Sequence, residues 1–192
     1  MQSIRFGTDG WRGIIAEDFT FAHARIVAHA IARYVVRGED ARKGVLVGYD
    51  HRFASDTIAA AVAETISATG TPVWLTDKPC PTPTISLLVR QHNAAGGIVI
   101  TASHNPYGWN GIKYKASYGS SALPSIVAQI ESELAKVLTE GAPSLPPRNK
   151  RERTISVLTA AWSTRREISA LGCTKVQGRR SMLPTFTRPL QP

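Results

Sequence analysis

The fold is decided by the stretch GIVITASHNPYGWNGIKYK, residues 97–115. Residues 98–100 are three consecutive β-branched residues bounded upstream by glycines, a pattern typical of a buried strand. Strands that are apolar on both faces are typical of parallel sheets. The Asn-Pro pair at 105–106 is a turn signal. We therefore expect Ser103 where a strand ends and a loop begins, the edge at which reactive groups of open α/β sheets cluster.

The loop after this strand has the composition that a phosphorylated serine needs. A phosphoserine carries about −1.5 to −2 charges and three acceptor oxygens, so cations and donors must surround it. Phosphoryl transfer depends mostly on positioning and electrostatic stabilisation, often with a divalent metal. The stretch therefore indicates that Ser103 carries a phosphoryl group. Its cations and neutral donors are His104, Lys113, Lys115, Asn105 and Asn110.

Two other interpretations of the stretch stay open. A serine-hydrolase elbow needs glycines two residues either side of the serine, but Thr101 and Asn105 occupy those positions, which argues against it. Ser-His-Asn-Pro can also be an ordinary turn that closes a strand. In that case Lys113 and Lys115, two residues apart, are solvated side chains on one side of a strand.

The rest of residues 1–141 alternates between helical and strand patterns. This alternation predicts a layered α/β domain. Side-chain caps and prolines mark where the helices begin, and glycines mark where they end. The predicted elements are a helix over 21–37 capped by Thr20, a strand at 45–47, a helix from a Ser55 cap to Gly70, a strand at 73–75, a helix over 84–91, a strand at 98–101 and a helix from Pro124 to Gly141.

Four motifs, in order along the chain, carry a family resemblance. The stretch closely resembles the phosphoserine loop of the α-D-phosphohexomutases, the phosphoglucomutase and phosphomannomutase enzymes. The other three motifs also occur in that family's order. Four ordered matches are far more specific than one. The motifs are FGTDGWRG at 6–13, VGYDHR at 47–52, PTPT at 81–84 and TASHNP at 101–106 with NGIK at 110–113.

The resemblance implies a role for each matching residue. Ser103 would be the catalytic phosphoserine, and its phosphate would be one ligand of a Mg²⁺ ion. His104 and Lys113 would lie beside it, assisting proton transfer or stabilising phosphate charge, and Arg12 would reach the same site from the first loop. From the residues themselves, Arg12 can also be a surface arginine in a glycine-rich turn, and Asp9 a turn-forming residue.

The resemblance also implies a reaction and a fold. The reaction is intramolecular phosphate transfer between C1 and C6 of a hexose phosphate, through a bisphosphorylated sugar, with Mg²⁺ as cofactor and glucose 1,6-bisphosphate as activator. The fold is a three-layer α/β/α domain with a mixed sheet, followed here by an irregular C-terminal tail. Glucose, mannose and other hexose phosphates all remain candidate substrates.

The length of 192 residues has room for one sizeable domain. The family has four domains that form one cleft, and the resemblance covers roughly residues 2–140, which correspond to the first. The second domain's metal loop, of the type Asp-Gly-Asp-Gly-Asp-Arg, has no match in this sequence. We therefore expect domain I at 1–141, a proline-rich linker at 142–150, and a truncated chain that is inactive or severely impaired alone.

Residues 151–192 are Ser/Thr/Arg-rich and carry most of the chain's formal net charge of +9. Three interpretations stay open. We favour an out-of-frame or other truncated product that replaces the missing domains. The tail can also be a disordered basic arm that binds nucleic acid or an anionic surface, or a genuine unfamiliar extension. Because no nucleic-acid motif accompanies the charge, we do not expect nucleic acid as a partner.

Two functions of different class follow. The first is the mutase domain, with a hexose phosphate as substrate. The alternative is a non-catalytic module that binds a sugar phosphate or a partner and uses its basic tail to bind anions. In either case a first domain without its neighbours exposes an interdomain surface, so we expect self-association.

Membrane and export signals are absent from the sequence. No stretch approaches 18 apolar residues, and residues 1–20 carry charges throughout, so we expect neither a membrane span nor a signal peptide. The two cysteines, Cys80 and Cys173, lie in the domain and in the tail, which argues against a disulfide framework. We therefore expect a cytoplasmic protein.

Overall fold

The computed structural model describes residues 4–7, 9–141 and 155–158. Within them, six strands form one sheet with the order β1-β5-β4-β2-β3-β6. In chain order the elements are β1 (Trp11–Ile14), α1 (Phe21–Gly38), β2 (Val45–Tyr49), α2 (Ser55–Ser67), β3 (Val73–Thr76), α3 (Thr82–Gln91), β4 (Gly96–Ile100), β5 (Trp109–Ala116), α4 (Pro124–Glu140) and β6 (Ile155–Leu158).

The sheet is mixed, as expected. Strands β4, β2, β3 and β6 run parallel to one another, whereas β5 pairs antiparallel with β4 and β1 pairs antiparallel with β5. Parallel neighbours need crossover connections, which the helices provide. The carboxyl ends of β2 and β4 therefore meet at one edge of the sheet, and Ser103 follows β4 at that edge.

Successive side chains of the strands divide the interior into two apolar layers. Val45 and Val47 belong to a core with α1, α2 and α4, whereas Leu46 belongs to a smaller cluster with α3. This is the alternation of a strand buried on both faces. Helices thus cover both sides of the sheet, and the predicted three-layer α/β/α domain is confirmed.

The helix boundaries confirm some of the predicted caps and correct one. Thr20 accepts a hydrogen bond from the His23 amide, as a helix N-cap should, and α4 begins at Pro124. The predicted Ser55 cap is wrong. Ser55 is already helical, and the cap position belongs to Ala54, whose φ is +57°. The Ser55 hydroxyl instead donates to Asp50 at 2.9 Å.

Three strands were not predicted. β1 lies in a stretch interpreted from the sequence as a loop, and β6 lies in the predicted irregular tail. β5 lies in the stretch after Ser103, for which a strand at Lys113 and Lys115 was only the alternative interpretation. β6 pairs in parallel register with β3, from Val73↔Ile155 to Thr76↔Leu158, and Leu158 is fully buried. The linker 142–150 and the rest of the tail lie outside the described residues, as does Cys173, and the predictions for them stay predictions. No helix in the described ranges has the length and apolar character needed to cross a bilayer.

Candidate functional site

Ser103 occupies a strained position directly after β4. Its φ is +57°, in the left-handed region that residues other than glycine, asparagine and aspartate rarely adopt. Its amide donates to the Thr101 hydroxyl at 3.0 Å, which fixes the first turn of the loop. Its side chain is exposed. The fold therefore presents a serine hydroxyl to solvent at the sheet edge where β4 ends.

His104 is the next residue and lies beside that hydroxyl. Its Nδ1 is 3.4 Å from Ser103 Oγ, at the long end of hydrogen-bonding distance, and the donor depends on the tautomer. The imidazole is exposed as well. His104 therefore lies within hydrogen-bonding distance of the hydroxyl, where an imidazole can donate or accept a proton.

Arg12 reaches the same edge from β1. It is opposite Gly111 of β5, and the Gly111 carbonyl accepts from the Thr101 amide at 3.0 Å. A Cβ at Gly111 would lie 2.5 Å from the Trp11 carbonyl oxygen and 2.9 Å from Arg12 Cγ, so glycine permits this close approach. Among the described residues Arg12 Nε is buried and has no hydrogen-bond partner. An unpaired buried guanidinium nitrogen is a donor available to an anion.

Lys113 and Lys115 share one carboxylate. Lys113 Nζ lies 2.7 Å from Asp9 Oδ2, and Lys115 Nζ lies 2.9 Å from Asp9 Oδ1. Ser121 Oγ donates to Asp9 at 2.9 Å and accepts from Lys115 at 3.0 Å. Burial on its own would raise the pKa of Asp9, but these hydrogen bonds and the Lys115 charge outweigh it, and the pKa lies below its usual value.

These contacts change the interpretation of both lysines. The expectation of solvated strand residues is wrong, because their relative exposures are only 7% and 6%. The alternation of β5 does point both to the same side, as their spacing predicted. Lys113, two residues after Gly111, was expected beside Ser103. In the structure its ammonium group bonds to Asp9. Asp9 is more than a turn former, since it neutralises part of a buried pair of cations.

Sequence reasoning found no role for Arg52, which makes four hydrogen bonds to residues 101–109, the serine loop that joins β4 to the start of β5. Its guanidinium donates to carbonyl oxygens of residues 103–109, and Asp50 lies against its Nε at 3.3 Å. Asp50 and Arg52 occur in the VGYDHR motif at 47–52, so the motif marked the position but not the contact. The signal that could have found it is the location of this motif at the end of β2, the strand beside β4.

The described residues do not fit a Mg²⁺ site by themselves. They include no group of three or more histidine, cysteine, aspartate or glutamate side chains placed to hold a metal. Mg²⁺ takes oxygen ligands in octahedral geometry, and the side chains near Ser103 are mainly cationic. A phosphate on Ser103 would supply one oxygen. The remaining ligands implied by the resemblance are not among these residues.

Comparisons with known proteins identify the family to which the chain belongs. The family model for phosphoglucomutase/phosphomannomutase, alpha/beta/alpha domain I, matches residues 3–140. A phosphoglucosamine mutase of Picosynechococcus sp. is 40% identical over 129 residues, which are 67% of this chain and 27% of that protein. A phosphoglucosamine mutase of Finegoldia magna is 41% identical over 126 residues, or 66% and 27%.

A solved structure gives the same relationship. The protein from Thermus thermophilus, assigned as a phosphomannomutase, has a TM-score of 0.64 and 41% identity and covers 68% of this chain and 30% of that one. The chain thus spans less than a third of the length of the relatives it matches. The chain belongs to the phosphoglucomutase/phosphomannomutase family, and its residues 3–140 match that family's α/β/α domain I.

Proposed function

We propose that residues 1–141 are the phosphoryl-carrier domain of a hexose phosphate mutase, with Ser103 as the carrier. The observation that carries this proposal is the exposed, positive-φ serine at the end of β4, beside the His104 imidazole. Arg12 adds a buried nitrogen without a partner among the described residues. Such a site stabilises the charge of a phosphoryl group where it is transferred.

The proposed reaction balances without an external phosphate source. A sugar hydroxyl attacks the phosphorus of phosphoserine, the Ser103 Oγ–P bond breaks, and a sugar O–P bond forms. The proton of the sugar hydroxyl ends on Ser103 Oγ, and His104, 3.4 Å away, is placed to move it. The bisphosphorylated sugar then returns its other phosphoryl group to Ser103, with the proton moving in the opposite sense.

Cations on the loop side of β5 support the phosphate in both half-reactions. Arg12 is the proposed direct phosphate ligand. Lys113 and Lys115 bring two positive charges against the single carboxylate of Asp9, which leaves a net positive field on this side of the sheet. Lys113 is proposed as a second phosphate ligand once its ammonium leaves Asp9, while Lys115 stays on the carboxylate.

The substrate is proposed from the relatives. Because two of the relatives are named phosphoglucosamine mutases, hexosamine phosphates are the first substrates to test. Glucose and mannose phosphates come next. The metal carboxylates and the sugar contacts are proposed to come from outside the described domain. A lost charge stabiliser of this kind typically costs about 10²–10³ in rate, so we expect this chain alone to turn over slowly or not at all. A single phosphorylation of Ser103 needs only one half-reaction, and we expect it to proceed during a long incubation.

Phosphorylation of the full chain tests the proposal. The chain is incubated with glucose 1,6-bisphosphate and Mg²⁺, and intact-mass and peptide mass spectrometry locate the phosphate. We expect one phosphoryl group on Ser103, none on Ser103→Ala, and normal labelling of Ser125→Ala, which alters an exposed serine at the start of α4. A wild-type chain without label, or with label on another residue, contradicts the carrier role and favours a non-catalytic sugar-phosphate-binding module.

A further inference from the structure

The Arg52 side chain lies under the serine loop and bonds to its backbone. The side chain is 15% exposed, and its Nε lies 3.3 Å from Asp50 Oδ2. The two terminal nitrogens each donate to two carbonyl oxygens, at distances from 2.6 to 2.9 Å. The four acceptors are the carbonyls of Ser103, Asn105, Pro106 and Trp109.

The two terminal nitrogens of this guanidinium therefore make four hydrogen bonds to the loop backbone, and its Nε forms an ion pair with Asp50. Hydrogen bonds from a charged donor are roughly twice as strong as neutral ones. The planar fork fixes the spacing of the carbonyls as well as their distance. Lysine cannot reproduce this arrangement, because its ammonium is a compact group with three donors and no fixed plane.

The loop has little backbone bonding of its own to hold its shape. Between β4 and β5 the Asn105 amide donates to the Ala102 carbonyl at 3.1 Å, and the Trp109 amide donates to Pro106 at 3.0 Å. A non-glycine residue at positive φ costs about 1–3 kcal/mol and persists where its surroundings over-determine it. At Ser103 those surroundings are the Thr101 hydroxyl on its amide and Arg52 on its carbonyl.

The position of Arg52 is fixed in turn by a hydrogen-bond network through Asp50. Asp50 Oδ1 accepts from the Arg52 amide and from the Ser55 hydroxyl, both at 2.9 Å. The Ser55 oxygen in turn accepts from Asn110 Nδ2 at 2.9 Å, and Asn110 is fully buried in β5. The network therefore ties the end of β2, the start of α2 and the start of β5 to one guanidinium.

We propose that Arg52 is a positioning residue for phosphoryl transfer: it holds Ser103 at positive φ so that Oγ faces the sugar hydroxyl. Its nitrogens donate to the loop backbone, so it acts through the loop and does not touch the substrate. The inference rests on the proposed carrier function of Ser103. A misplacement of about 1 Å at a reacting group can cost about 10²-fold in rate, and this sets the size of the expected effect.

The first test measures the rate of Ser103 phosphorylation by glucose 1,6-bisphosphate in the full chain. We expect Arg52→Ala and Arg52→Lys each to lower the rate about 10²-fold, and millimolar methylguanidinium to restore much of the loss in Arg52→Ala. Arg42→Ala is the matched control. Arg42 also bonds to an aspartate two residues before it, Asp40, but lies on an exposed turn away from the loop. Normal labelling of both Arg52 variants overturns the inference.

A second measurement separates this inference from the carrier function. The one-bond Cα–Hα coupling of Ser103, measured by NMR, distinguishes positive from negative φ without any substrate. We expect a positive-φ value in the wild type and in Arg42→Ala, and a shifted value in Arg52→Lys, which keeps the charge and the aliphatic stem. A wild-type chain that takes no phosphate contradicts the proposed function, and the coupling then decides the role of Arg52. An unchanged coupling in Arg52→Lys overturns that role.

Discussion

The two faces of β5 are built from different chemistry within the same eight residues. One face contributes to the apolar core shared with α1, α2 and α4; its residues are Ile112, Tyr114 and Ala116. The other face has a close-packed glycine and two buried cations, Gly111, Lys113 and Lys115. One face thus stabilises the domain by burial of apolar groups, and the other holds two buried cations that pair with Asp9.

The difference between the faces lies in what each needs from its neighbours. Apolar side chains need only packing, so any well-shaped partner suffices. The lysines need a carboxylate at hydrogen-bonding distance, because an unpaired buried charge is costly. Asp9 meets that need from a loop more than a hundred residues away in sequence. Substitutions on the two faces should therefore change the free energy of unfolding by different amounts. These changes should also differ in their dependence on pH.

The largest effect is expected on the apolar face. Ile112 is fully buried and pairs with Trp11 on one side and Ile100 on the other. Ile112→Ala should lower the free energy of unfolding by about 2–5 kcal/mol, because it removes buried methylene groups and leaves a cavity. Urea unfolding followed by circular dichroism measures this. Leu123→Ala, at an exposed position, is the control and should change stability by less than about 0.5 kcal/mol.

A smaller loss of stability is expected at Gly111 of β5, which lies between β1 and the end of β4. A Cβ there would lie 2.5 Å from the Trp11 carbonyl oxygen and 2.9 Å from the Thr101 carbonyl oxygen. Both contacts are backbone, so Gly111→Ala must displace a strand, at a cost of about 1–3 kcal/mol. Gly108→Ala is the control, since a Cβ at Gly108 meets open space. Equal stabilities for the two variants would contradict the close approach of the Trp11 and Thr101 carbonyls to Gly111.

Local signals in the sequence were sufficient for the helices and for three of the four parallel strands, β2, β3 and β4. The Thr20 cap predicted where α1 begins, and Pro124 predicted where α4 begins. The β-branched run at 98–100 identified the central strand and so placed Ser103 at a strand end. Each of these signals depends on residues within a few positions of one another, where propensity and capping are informative.

Contacts between distant residues could not be predicted in this way. The glycine-rich stretch around Arg12 becomes β1 because β5 pairs with it, and the two strands are about a hundred residues apart. The bonds from Arg52 to the loop span more than fifty residues. Ile155–Leu158 becomes a strand because the open edge of β3 is next to it. Tertiary pairing overrides weak local propensity in each case.

On the charged face, Asp9→Asn should lower the free energy of unfolding, but by less than Ile112→Ala does. The variant leaves Lys113 and Lys115 buried without their counter-ion. Because Asp9 itself is 26% exposed, water offsets part of the loss, and we expect about 1–2 kcal/mol at neutral pH. Asp40→Asn is the control, since Asp40 pairs with Arg42 on the surface. Urea unfolding at pH 7 compares them, and equal losses would show that burial of the lysines is irrelevant.

The smallest predicted effect is the pH dependence of the difference in stability between wild type and Asp9→Asn. Burial alone would raise the pKa of Asp9, but hydrogen bonds from Lys113, Lys115 and Ser121 outweigh it and lower the pKa in the folded chain. A lowered pKa stabilises the fold above the usual value of the carboxyl, 3.8, and that contribution is lost as pH falls through the folded-state pKa.

The stability gap between wild type and Asp9→Asn should therefore be constant from pH 7 to about pH 5 and narrow below pH 4, where the carboxyl takes up a proton and comes to resemble the amide. Urea unfolding at intervals between pH 7 and pH 3 measures the gap, and Ile112→Ala supplies the comparison, since burial of methylene groups does not titrate. If the stability gap for Asp9→Asn is as independent of pH as the gap for Ile112→Ala, then the charge of Asp9 does not stabilise the buried lysines.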